Sequence, residues 1–291
     1  MSSRRIKSNR LSRTAKAKSG LLKDICPLCL IEKPLIESHL TSKGIYPLVR
    51  GEANDTILLN SRVIMHTSRQ TKDLLLCQEC DNSLSKNGEN WIIPKLARPD
   101  GQFPLLDILE KLPPDAEKKE FKIYYTAKNL SIDVHKIVHF AMGIFWKASV
   151  HSWAGHGDTP KIELGPYRDN VRVFLRENAP FPANVSLTVF IAPRDRALTT
   201  IGEPCRGKAR TYRNFAFYVP GIQFVLYAGK QITNEIKQLC FYANPEHPIV
   251  VYDTSERILN IMEEIKQTAH KSKRVQNLFA YMASAMHQTG V

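Results

Sequence analysis

Hydrophobic positions along this chain follow two regimes, helical spacing near the middle and strand-like clusters after it. Between residues 131 and 153 the apolar set Ile132, Val134, Ile137, Val138, Phe140, Ala141, Ile144, Phe145 and Ala148 forms a wide stripe at helical period. A buried helix is expected there, capped by Ser131 or Asp133. His135 and His139 lie one turn apart on it, and neither has the adjacent glutamate of a metalloprotease motif. A packed pair of core histidines is the expectation. Residues 171–252 read mostly as antiparallel strand, with runs at 171–175, 185–191, 215–219, 223–227, 239–242 and 249–252. Pro220-Gly221 marks a turn between the third and fourth runs. Asp253 or Thr254 then starts a helix running to about residue 285, with Ile258, Leu259, Ile261, Met262 and Ile265 on its apolar face.

The first third is patterned differently. Residues 1–23 carry eight lysines and arginines and no acid, which reads as a basic disordered arm. Residues 34–40 read as a short strand whose end bears His39, and Leu74, Leu75 and Leu76 as a buried run. Residues 99–120, rich in proline and charge, read as a linker with a helical turn or two near 105–112. The expected organisation is therefore an arm (1–23), a cysteine-bearing unit (24–98), a linker (99–120) and an α+β C-terminal domain (121–291).

Two Cys-x-x-Cys pairs, Cys26/Cys29 and Cys77/Cys80, supply the most specific chemistry. Four thiolates from two tight turns suit a tetrahedral structural Zn²⁺ site. Pro27 favours the first turn. The second pair is expected to open a helix, with Leu84 and Trp91 on its apolar side. The gap between the pairs exceeds ribbon spacing and implies an insertion of roughly 40 residues. No βαβ context surrounds either pair, which disfavours a redox role. Cys205 and Cys240 read as ordinary thiols.

Of 291 residues, 43% are hydrophobic, enough for one large domain or two ordinary ones. A formal net charge of +13 points to a polyanionic partner, nucleic acid before membrane. No stretch is long and apolar enough to span a bilayer, and the N-terminus lacks a signal-peptide core, so a cytoplasmic location is expected. Tyr212, Phe215, Phe217, Tyr218, Phe224 and Tyr227 alternate as sheet-core residues do, which favours packing over base stacking.

The segments Cys26-Pro-Leu-Cys29, Glu37-Ser38-His39-Leu40, Leu75-Leu76-Cys77-Gln-Glu-Cys80 and Leu84-Ser85 through Glu89 resemble the HNH endonucleases, in particular a bacterial subgroup with a four-cysteine zinc site. Phe145-Trp146-Lys147-Ala148-Ser149 resembles a downstream element of the same subgroup. The likeness covers residues 24–95. It implies an α+β chain in which a zinc-braced, treble-clef-like ββα-metal unit precedes a mixed helix and antiparallel-sheet domain. It further implies hydrolysis of DNA phosphodiesters, with His39 as general base and one Mg²⁺ or Mn²⁺ on the scissile phosphate. The ion would be bound from Glu37, Asp81, Asn82 and Glu89, with Asp81 the first choice. Ser38 stands where the family carries an acid or histidine, and Glu37, on the same strand face as His39, is the substitute. Asn54 and Asn60 are candidates for the family's second-motif asparagine, and His66 is the other histidine between the pairs. Bacterial defence against phage or a mobile element is the biological setting the likeness suggests, with a homo-oligomer or a defence-system partner protein. The alternatives are a non-catalytic zinc module that binds nucleic acid and an interaction protein that zinc merely stabilises.

Overall fold

The computed structural model describes residues 23–50, 56–59, 64–67, 70–153, 161–177, 179–209 and 211–253, with side chains for all but 56–59 and 64–67. The basic arm through residue 22, Asn54, Asn60 and the expected C-terminal helix lie outside the described residues.

The chain is α+β, with a cysteine-braced N-terminal region and a large, mostly antiparallel sheet. Strands β1 (Lys23–Ile25), β2 (Glu32–His39) and β5 (Lys72–Cys77) form a small antiparallel sheet in the order β1-β2-β5. Between β2 and β5 the chain makes a 3-10 turn (Lys43–Leu48) and a hairpin, β3 (Thr56–Leu59) and β4 (Ile64–Thr67). That hairpin completes the far edge of a nine-stranded sheet in the order β4-β3-β9-β10-β11-β8-β12-β7-β6. Its other members are β6 (Ala116–Lys118), β7 (Phe121–Tyr125), β8 (Val185–Ile191), β9 (Ile201–Arg206), β10 (Arg213–Val219), β11 (Ile222–Ala228) and β12 (Pro248–Tyr252). Two pairings are parallel, β3 with β9 and β12 with β8. Gly221, at φ +76°, turns β10 into β11 where Pro220-Gly221 was expected to.

The helix expected at 131–153 is α4 (Val134–Val150). Asp133 caps it, its side chain accepting a hydrogen bond from the Lys136 N–H at 3.1 Å. Every residue from Ile137 to Ser149 is buried, so the helix is enclosed on all sides. Phe140 and Phe145 meet Phe217 of β10, which stacks on Phe224 of β11 at 4.9 Å. The helix thus packs on β10 and β11 through aromatic rings.

Some sequence expectations give way. Residues 171–175 are helical, inside α5 (Tyr167–Glu177), where Val171, Phe174 and Leu175 are buried at i, i+3 and i+4. Residues 239–242 follow the short helix α6 (Asn234–Gln238) as a turn, anchored to β8 by a Phe241 N–H bond to the Leu187 carbonyl at 2.7 Å. Leu74 is exposed while Leu75 and Leu76 are buried; strict alternation would put Leu74 and Leu76 on one face, and the register shift opposite Ile36 and Glu37 breaks it at Leu75. His135 is exposed, so the expected pair of core histidines reduces to His139. Residues 99–120 contain a short helix near the expected turns, while residues 111–120 are largely exposed. In α3 (Pro104–Leu109), Leu105, Leu106 and Leu109 are buried, and Asp107, with Glu110 just beyond, ion-pairs with Arg194.

Candidate functional site

The first cysteine pair sits in a tight turn after β1. The Leu30 N–H bonds to the Cys26 carbonyl at 2.8 Å, and the Cys26 N–H to the Ile31 carbonyl at 3.0 Å. Closing that turn puts Leu30 at φ +62°, a left-handed conformation that a non-glycine side chain adopts at a cost. The second pair ends β5 and opens α1 (Gln78–Leu84), with Cys77 at the N-cap position, as the sequence suggested. Glu79 and Asp81 in the first turn complement the positive end of the helix.

The ligand atoms of Cys26, Cys29, Cys77 and Cys80 lie within 4.8 Å of one another, and three of the four residues are buried. Cys26 is drawn down to about 4, chiefly by hydrogen bonding from Cys80, whose own thiol is pushed strongly up. A thiolate at Cys26 is therefore favoured beside the Cys80 thiol. A thiophilic, tetrahedral cation replaces the thiol protons, and the cluster can hold a structural metal such as zinc. Among the described residues it is the one group of three or more His, Cys, Asp or Glu side chains so arranged.

The helix that the second pair opens is irregular. After α1 come a π-helical segment (Ser85–Glu89), α2 (Asn90–Ile92) and a 3-10 turn (Ile93–Lys95). The widened turn lets Gly88 lie directly on the α4 backbone. A Cβ at Gly88 would sit 2.7 Å from the Phe140 nitrogen and 2.8 Å from its Cα. Leu84 is buried, and Trp91 is half-buried beneath the Lys95 ammonium, 4.0 Å from the ring centroid.

His39 ends β2, opposite Lys72 of β5. Its ring is half-buried, and Nε2 lies 2.7 Å from Oε1 of Gln70. An amide oxygen can only accept, so Nε2 carries the proton and Nδ1 keeps its lone pair. Burial, then the charges of Lys147 and Lys72, lower the affinity of His39 for a second proton, while the Gln70 bond and Asp81 act the other way. The ring is therefore neutral at pH 7 and available as a base.

The four candidate metal-binding side chains are placed unequally. Asp81, on α1, acts electrostatically on His39. Asn82 is exposed and accepts from Gln78 at 2.9 Å. Glu37 ion-pairs with Lys72 at 2.6 Å, beside His39 rather than on it. A register shift between Ile36 and Glu37 leaves Glu37 exposed, while the next residue, Ser38, is buried and accepts from the Leu76 N–H. Glu89 accepts from Ser85 Oγ at 2.8 Å and lies 3.7 Å from the Lys147 ammonium, which also donates to the His39 carbonyl at 2.7 Å.

Sequence reasoning missed two of these partners. Gln70 sits in a polar run ahead of β5 that carries no motif of its own. Lys147 was visible as the lone charge in an otherwise apolar stretch of α4, inside Phe145-Trp146-Lys147-Ala148-Ser149. No helix among the described residues is long and apolar enough to cross a membrane. Comparison of the chain with protein families, curated proteins and solved structures finds no match.

Proposed function

We propose that this chain is an HNH-like, metal-dependent endonuclease that hydrolyses phosphodiester bonds in DNA. One observation carries the reading: a neutral, half-buried histidine ends the first strand of a strand–strand–helix unit whose helix is opened by the second cysteine pair and bears Asp81. A net charge of +13 supports a polyanionic substrate. Asp81, with Asn82 beside it, would hold a single Mg²⁺ or Mn²⁺, which when bound supplies positive charge to the scissile phosphate. His39 accepts a proton from water at Nδ1 as the water oxygen bonds to phosphorus. The bond from phosphorus to the departing sugar oxygen breaks, and that oxygen takes a proton from solvent. Gln70 fixes the ring for this step through Nε2.

The test is cleavage of plasmid DNA with Mg²⁺ or Mn²⁺ by the wild type and by His39→Ala. Cutting by the first alone supports the proposal, and equal cutting by both overturns it. A second reading, a non-catalytic zinc module that binds nucleic acid, is favoured by the engagement of Glu37 with Lys72 and of Glu89 with Lys147. It predicts salt-sensitive DNA retention by both proteins and cutting by neither.

A further inference from the structure

We infer that Lys147 is a positioning residue for His39, through which the central helix α4 governs the hydrolytic site. The inference rests on the proposed role of His39 for its activity arm alone. Lys147 is 2% exposed, in a helix buried from Ile137 to Ser149. An ammonium held out of water is costly unless acceptors meet it. Here they are the carbonyl of His39 at 2.7 Å and the carboxylate of Glu89 at 3.7 Å. Glu89 is itself held by Ser85, and the Lys147 carbonyl accepts from Trp153 Nε1 at 3.3 Å. The ammonium therefore grips the last residue of β2 at its backbone, while Gln70 holds the same residue at its ring. Packing alone would be served as well by methionine. The geometry instead ties a fully buried stretch of α4 to the backbone carbonyl of the histidine itself.

His39-Leu40 is the single His-Leu dipeptide in the chain. Zinc-loaded full-length protein made with ¹³C-carbonyl histidine and ¹⁵N-leucine therefore gives one carbonyl–amide cross-peak, reporting the His39 carbonyl. Lys147→Met is expected to move that carbonyl upfield, as loss of a charged donor does, and the Ser149→Ala control to leave it in place. DNA cleavage by Lys147→Met should lose about tenfold or more in kcat with KM little changed, and Lys147→Arg, which keeps a cationic donor, should recover most of it. If Lys147→Met fails to retain zinc, Lys147→Leu, which also removes the donor, replaces it with the same expectation. An unmoved cross-peak overturns the inference, and so does a moved cross-peak with unchanged kcat in an active enzyme. If the wild type cuts nothing under any metal, the endonuclease proposal falls, and the cross-peak alone decides whether Lys147 holds His39.

Discussion

Two glycines on the contact between the π-helical segment and α4 should respond to alanine with opposite signs. A Cβ at Gly88 meets Phe140 at three points, 2.7 Å from N, 2.8 Å from Cα and 2.9 Å from Cβ. None is the free end of a side chain, and the helix behind them is enclosed. Relief requires the segment to retreat from α4 by several tenths of an ångström. Overpacking of this kind costs about 1–3 kcal/mol. Removing a helical glycine returns about 1 kcal/mol. The net expectation for Gly88→Ala is a loss of up to about 2 kcal/mol. Gly143, on α4, is the control, because its added Cβ would meet Leu84 Cδ2 at an ordinary 3.6 Å. Gly143→Ala keeps the propensity gain without the clash and should stabilise by up to about 1 kcal/mol. Urea unfolding of the two variants and the wild type, all zinc-loaded, measures both differences. Equal stabilisation by the two alanines would refute the close approach. The retreat should also draw Glu89, the next residue, away from Lys147, so Gly88→Ala should weaken any cleavage activity while Gly143→Ala does not.

Two further predictions concern metal and acid. The purified chain should carry one zinc equivalent by elemental analysis, and Cys80→Ala should remove it and lower the unfolding midpoint, since ligation free energy is folding free energy; full zinc in the variant would exclude the four-sulfur site. Burial pushes His139 down to about 4 from an ordinary 6.5, the desolvation outweighing its bond to the Leu175 carbonyl. Its unfolded form therefore binds a proton first, and stability is lost as pH falls from about 6.5 towards 4. His139→Gln keeps a donor for that carbonyl without titrating, so by pH 4.5 it should escape about 2 kcal/mol of the acid loss seen in wild type. Urea unfolding at pH 7 and pH 4.5 checks this, and parallel losses in the two proteins would refute it.

The sequence was most readable where one physical requirement dominates a segment. Cysteine pairs must bring two sulfurs to one side, and they do, the first in a tight turn and the second at the start of α1. A stripe as apolar as 137–148 can only be enclosed, and α4 is. Pro220-Gly221 had one economical conformation, which the chain adopts. Residues 171–175 failed because a short apolar run has no period of its own; Arg172, second in the run, half-buried and bonded to the Leu28 carbonyl, gave no hint of helix. The 239–242 run failed because Cys240 and Phe241 are buried by a turn clasping β8 rather than by a ladder. At the candidate site, the sulfurs and the strand that ends at His39 were legible from local pattern. The bonds of Gln70 and Lys147 to His39 were not, because they join segments far apart in sequence.

The hairpin carried between the cysteine pairs borrows its neighbour, β9, from much later in the chain. During synthesis the sulfurs are all made, and can close on a cation, long before that neighbour leaves the ribosome. For that interval β3 presents a bare edge, an invitation to mispairing with other nascent chains. Assembly of the wide sheet then has to wait for a distant partner, a slow step by loop-closure entropy. Grafting residues 24–98 onto another protein would leave β3 without β9, the neighbour it has here.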